Sequence, residues 1–155
     1  IIKTINKFQG LKYRQQIIYI SKNLTIMNDS KATSYSSSMS ILKSLNNVYW
    51  IVGGLIKKGD KFLLSKKDCK TFKAYIFGKD KDFFVKDIKK SVINYQCFEN
   101  LVLLIKKVFL DIKREENKNH KVILFSPAAA SFDSFKNFED RGKYFNKLIK
   151  KTINA

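Results

Sequence analysis

The stretch "KVILFSPAAASFDSFKNFEDRGKY", Lys121 to Tyr144, decides the fold. Its opening run of β-branched and large apolar residues, bounded by polar neighbours, has the length and pattern of a buried strand. Pro127, the one proline in the chain, cannot donate to a sheet ladder and so stops that strand. Ala128, Ala129 and Ala130 leave room above it, and Ser131 offers a hydroxyl. Asn137 then reads as the cap of a closing helix, with Glu139 and Asp140 in a first turn whose dipole favours acids. Phe138, Phe145, Leu148 and Ile149 recur along one helical stripe.

The same pattern recurs upstream. "QIIYI" (16–20), "LTIMN" (24–28), "VYWIV" (48–52), "AYIF" (74–77) and "SVINY" (91–95) read as further strands. Only Ser21, Lys22 and Asn23 separate the first two, so those two form a hairpin. Later strands alternate with helical stripes: Tyr35, Met39 and Leu42, then Leu101, Leu104, Ile105, Val108 and Ile112. "SYSSSMS" (34–40) resembles a linker in composition, but its apolar spacing favours a helix with small residues on the polar face. The expected fold class is α/β: a Rossmann-like, mostly parallel sheet with helices on both faces, plus an N-terminal β-hairpin.

A chain of 155 residues fits one domain that buries roughly two-thirds of its unfolded surface. No apolar run reaches the roughly 18–20 residues of a bilayer span, so no membrane insertion is expected. A start at Ile1 rather than methionine is what a fragment of a longer protein would show. Cys69 and Cys97 are not in CxxC spacing, and with the lone His120 they offer no metal framework, as expected of a cytoplasmic protein without disulfides. The net charge of +18 invites a nucleic-acid reading, yet only three of the 31 basic residues are arginine: Arg14, Arg114 and Arg141. Base recognition favours arginine's planar fork, and the lysines here are spread along the chain. Specific nucleic-acid binding is therefore not expected, although such a field steers anions in general.

Three loops that follow strands draw attention. "NDSKATS" (28–34) carries the N-cap types Asn28, Asp29, Ser30 and Thr33, beside Lys31, ahead of a helix whose free N–H groups would favour an anion. An ordinary capped helix would use the same residues. "GGLIKKGD" (53–60) has paired glycines that permit a turn, after which Lys57 or Lys58 can rise over the strand ends. Neither GxGxxG nor GxxxxGK[ST] occurs, and "GKD" at Gly78 lacks the rest of a P-loop. The third loop is the alanine-rich one, where Phe132, Phe135 and Phe138 are either core or ligand contacts. In an open parallel sheet ligands bind beyond the carboxyl ends of the strands, so Lys31, Thr33, Lys57 and Ser131 converge on one edge. Without a paired carboxylate or histidine this edge binds anions and does not complete an acid–base or nucleophilic site.

Taken together, "NDSKATS", "YWIVGGLIK" and "LFSPAAASFDSFKNFEDRG" resemble three motifs of the C-terminal domain of the Mur ligases: NDSKATN, YWIAGGxxK and LLSPACASxDxFxxFExRG. Their order and spacing agree over nearly the whole chain, and the match is strongest with the branch that adds D-glutamate. "GLKYRQQ" (10–16) stands where that family has its HRxE segment. The resemblance implies a Rossmann-like C-terminal domain over residues 14–155, preceded over 1–13 by the tail of a central-domain or linker segment. It implies an ATP- and Mg²⁺-dependent ligase acting on UDP-N-acetylmuramoyl-L-alanine, with the P-loop, the main Mg²⁺ ligands and the uridine-nucleotide domain outside this chain. The chain alone is expected to be inactive, monomeric and cytoplasmic. Carried across by motif, Arg14, Asp29 and Lys31 face the nucleotide, while Thr33, Lys57, Ser131, Phe132 and Phe138 line the D-glutamate pocket. Tyr13 and Gln16 depart from the family's histidine and glutamate, and Ser34, Ile56 and Ala129 depart at other motif positions. The alternative is a non-catalytic Rossmann-like module that binds nucleotide or nucleic acid.

Overall fold

The computed structural model describes residues 11–91 and 93–154. Most of the linker expected over 1–13 lies outside the described residues, as does Val92 of "SVINY". Six strands form one sheet: β1 (Gln16–Ile20), β2 (Leu24–Asn28), β3 (Val48–Gly53), β4 (Phe72–Phe77), β5 (Asn94–Cys97) and β6 (Lys121–Phe125). Their order is β1-β2-β6-β3-β4-β5, with β1 antiparallel to β2 and every other pair parallel. The α/β class and the N-terminal hairpin are as the sequence indicates.

Every residue of β3 and β6 is buried, which is why these strands read as unbroken apolar runs rather than alternating ones. Side chains still alternate between layers. Val48, Trp50 and Val52 point into one core, under α1 (Tyr35–Ser44) and α2 (Lys81–Lys90). Tyr49 and Ile51 point into the other, under α3 (Leu101–Arg114) and α4 (Phe138–Ile153). Side-chain caps fix three of the helix starts. The Ser34 hydroxyl accepts from the Ser37 amide, Asn100 Oδ1 accepts from Leu103 at 3.0 Å, and Asn137 Oδ1 accepts from Asp140 at 2.7 Å.

The structure differs from the sequence reading in three places. The fifth strand is Asn94–Cys97, shifted toward the C-terminus of the expected 91–95. It is an exposed edge strand, so burial gives it little patterning. Helix α2 is not picked out by the sequence reading, because only Phe84 and Ile88 of its ten residues are buried amid charges. The crossover from β3 to β4 contains no helix at all. Packing substitutes for helical hydrogen bonding there: Phe62 stacks on Trp50 at 6.0 Å and meets the Tyr35 ring edge-on at 5.1 Å, while Leu64 and Cys69 are buried.

The glycines that end β3 are demanded by this packing. Gly53 has φ 133°, and a Cβ there would run into the Phe77 carbonyl on β4. Gly59, with φ 79°, faces open space. Gly53→Ala is expected to cost about 3 kcal/mol or more in a urea titration, through backbone strain and collision together. Gly59→Ala should lose only about 1–2 kcal/mol, the price of left-handed backbone alone. Equal losses would mean that the close approach of β3 and β4 is not what fixes Gly53.

Candidate functional site

Parallel pairing puts the C-terminal ends of β2, β6, β3 and β4 at one edge, where Asn28 lies beside Phe125 and Gly53 beside Phe77. Because β1 runs the other way, its first residue, Gln16, pairs with Asn28 and brings Arg14 to that same edge. Tyr13 and Gln15, on either side of Arg14, hold left-handed φ values of 63° and 44°. Hydrogen bonds compensate this turn: Gln15 N–H donates to Asp29 Oδ1 at 3.1 Å, and Lys31 N–H donates to the Tyr13 carbonyl at 3.0 Å. The result is an open cavity of about 360 Å³ lined by Arg14, Gln15, Asp29, Lys31, Ala32 and Ser37. Thus Arg14, Asp29 and Lys31, three of the residues singled out from sequence, share one cavity.

Asp29 is almost fully buried. The Ser126 hydroxyl donates to its Oδ2 at 2.8 Å and lies 2.7 Å from the Ser38 hydroxyl, while the Ser126 carbonyl accepts from Trp50 Nε1 at 2.8 Å. Burial pushes the Asp29 carboxyl above its ordinary value of 3.8, against the opposing pull of Ser126, the Gln15 amide and the Arg14 charge. Its ionised form is therefore held at a cost to folding.

A second set of contacts ties the "NDSKATS" loop to α4. Asn28 Nδ2 donates to the Gly142 carbonyl at 2.9 Å and to Asn146 Oδ1 at 2.7 Å. The Ser30 hydroxyl donates to the Phe138 carbonyl at 2.8 Å. Lys31 Nζ sits 3.9 Å above the Phe138 ring, so an expected nucleotide-facing residue touches an expected amino-acid-facing one. Arg141, wholly buried, donates from Nε to Ser30 Oγ at 3.1 Å, from one terminal nitrogen to the Ser30 carbonyl at 2.8 Å, and from the other to the Ala129 carbonyl at 2.9 Å. Desolvation pulls its pKa down to about 10, with the Asp133 charge opposing.

The remaining two loops interlock. Leu55 and Ala130 exchange backbone hydrogen bonds at 3.0 and 2.8 Å, and Gly53 N–H reaches the Pro127 carbonyl at 2.9 Å. A Cβ on Gly54 would lie 2.5 Å from the Ala130 carbonyl and 3.1 Å from the Ala129 Cβ. The alanine run is small because the glycine loop and Arg141 fill the space above it. The Gly78 turn joins the same cluster: Asp80 accepts from the Ile56 amide at 2.9 Å, and Asp133 accepts from Lys79 N–H at 3.1 Å.

Of the other sequence-selected residues, Ser131 is buried, Thr33 and Lys57 are exposed, and Phe132 is 70% exposed. No hydrogen bond links these four side chains to one another among the described residues. Lys57 begins a turn closed by Asp60 N–H at 3.1 Å, and the Asp60 carboxylate accepts from the Tyr35 and Ser36 amides. The anion expected at the start of α1 is therefore the protein's own Asp60, delivered by the turn that carries Lys57. Asp60, Ser126 and Arg141 escaped selection as site residues, and Asn28 was read only as an N-cap type. Arg141 had a weak signal, since it is one of three arginines in a lysine-rich chain and only arginine carries a planar fork.

No protein-family model matches the chain. It is 36% identical over 151 residues to the UDP-N-acetylmuramoylalanine–D-glutamate ligase of Rickettsia felis, covering 97% of this chain and 33% of that protein. Against the ligase of the same name from Wolbachia of Brugia malayi it is 37% identical, covering 97% and 30%. Among solved structures, the UDP-N-acetylmuramate–alanine ligase of Thermotoga maritima superposes with a TM-score of 0.57 at 14% identity, over 97% of this chain and 33% of that one, a likeness of fold. The similarity to these D-glutamate ligases runs over nearly the whole chain, which spans about a third of the length of the relatives it matches.

The Asp29 geometry yields a pH test. A carboxyl raised by folding contributes most below its unfolded value and loses that contribution as pH rises through the folded value. Asp29→Asn should therefore raise the urea midpoint at neutral pH, and the gap from the native protein should narrow toward about pH 4. A variant less stable than the native protein at neutral pH would mean that the hydrogen bonds outweigh the desolvation.

Proposed function

We propose that this chain, homologous to the Mur ligases, is the C-terminal, amino-acid-receiving segment of a ligase that joins D-glutamate to UDP-N-acetylmuramoyl-L-alanine in peptidoglycan synthesis. In that reaction ATP phosphorylates the alanine carboxylate. The D-glutamate amine attacks the acyl phosphate, and an amide, ADP and phosphate result. The observation that carries the reading is the strand-end edge, where Arg14, Asp29 and Lys31 line one cavity and hydrogen bonds tie the three motif loops together.

In this reading Arg14 and Lys31 meet the anionic nucleotide across their shared cavity, and Asp29 holds the Arg14 turn in place through the Gln15 amide. A cavity whose cations come from two separate chain segments suits a polyanion. Among the described residues no group of three or more His, Cys, Asp or Glu side chains is arranged to hold a metal. The principal Mg²⁺ ligands are assigned to the part of the ligase outside this chain. Thr33, Lys57, Ser131, Phe132 and Phe138 form the D-glutamate side, with Lys57 opposite a substrate carboxylate. The exposure of Thr33, Lys57 and Phe132 suits a pocket that closes against a neighbouring domain. No described helix is long and apolar enough to cross a membrane, and the reading carries with it a monomeric cytoplasmic enzyme.

Lys57 gives the sharpest test. A charge-assisted bond to a carboxylate is worth about 1.5–3 kcal/mol. In the full-length ligase Lys57→Met should therefore raise the KM for D-glutamate about tenfold to a hundredfold. Acyl-phosphate formation, which precedes the amine's attack, should suffer less. Lys58→Met should be nearly silent. If both mutants behave alike, the carboxylate contact is misassigned. If the chain instead binds DNA tightly at physiological salt, the binding-module alternative takes its place.

A further inference from the structure

We infer that Arg141 is a positioning residue, whose fork locks the Asn28–Lys31 loop to the alanine loop and so fixes the separation between the nucleotide-facing and amino-acid-facing side chains. The inference rests on the functional reading above and extends it to a residue that contacts neither substrate there.

Arg141 is fully buried, yet none of the salt bridges among the described residues includes it. A buried charge without a contacting counterion is costly unless its donors are satisfied by well-placed acceptors. Here the acceptors are two oxygens of Ser30 and the carbonyl of Ala129, so a single planar group bridges two motif loops. An ammonium at the end of a flexible stem cannot hold both loops in that fixed geometry.

The same helix supplies the rest of the alignment. One turn before Arg141, the Phe138 carbonyl takes the Ser30 hydroxyl and the Phe138 ring lies beneath Lys31 Nζ. Immediately after it, the Gly142 carbonyl takes Asn28 Nδ2. The start of α4 is therefore a rigid spacer with the nucleotide loop fastened along it and the alanine loop fastened to it by Arg141. Release of that fork frees the two half-sites to drift relative to each other, and ångström misplacements cost up to about 100-fold in rate.

Arg141→Lys keeps the charge and removes the fork. In the full-length ligase kcat/KM for ATP and for D-glutamate should fall together, by about 10–100-fold, while thermal unfolding shows a folded protein at the assay temperature. Ser30→Ala removes the Nε acceptor and the bond to Phe138 while leaving Arg141 its two carbonyls, and should shift both substrates in the same direction by less. A loss of melting temperature with both kcat/KM values unchanged, or an effect on one substrate alone, would overturn the inference. If Arg141→Lys does not fold, Ser30→Ala decides by the same two readouts. Native ligase without D-glutamate-dependent turnover would instead overturn the functional reading on which this one stands.

Discussion

The sheet hangs together through β6. It enters the sheet last in sequence and lies between β2 and β3, pairing Val122 with Thr25 on one side and with Val48 on the other. Without it the β1–β2 hairpin and the β3–β4–β5 group share no strand pairing. All five of its residues are buried, and the four apolar ones alternate between the cores, Val122 and Leu124 in one and Ile123 and Phe125 in the other. The closure is non-local, which makes late and cooperative completion of the sheet the expected folding behaviour. It also places the end of β6, and hence Ser126 and the alanine loop, in the middle of the strand-end edge.

From that position a continuous polar network runs across the edge. Ser126 meets Asp29 through its hydroxyl and Trp50 through its carbonyl. Asp29 holds the Gln15 amide, and Ser30, one residue on, holds Arg141. Gln15 is exposed, but the other members are buried and partnered, as buried polar atoms must be when a fold tolerates them. Such a network specifies one arrangement of loops more than it adds stability, because the raised Asp29 carboxyl and the desolvated Arg141 both oppose folding in their charged forms. Costs of this kind, concentrated at strand ends, make this edge the candidate functional site.

Much of this was legible in the residues. Strands buried on both faces are continuous apolar runs, so β3 and β6 are found within a residue of their observed bounds, as is the less buried β2. Helices with wide apolar stripes, α3 and α4, are equally plain. Elements whose inward side depends on distant partners were not: α2 exposes most of its residues, and the helix-free crossover is held by aromatic contacts with Tyr35 and Trp50. The candidate site divides in the same way. Arg14, Asp29 and Lys31 follow from motif and topology. Asp60, which occupies the start of α1, and Arg141, which bridges two loops, act through contacts that no local pattern encodes.

The most direct test of the account is amide chemical-shift mapping of this segment, labelled within the full-length ligase, during titration with D-glutamate, with L-glutamate as the control. The account predicts stereoselective shifts confined to the meeting loops, at Thr33, Lys57, Ser131 and Phe138. Shifts spread over the lysine-rich surface and equal for both enantiomers, or none at saturating ligand, would contradict it.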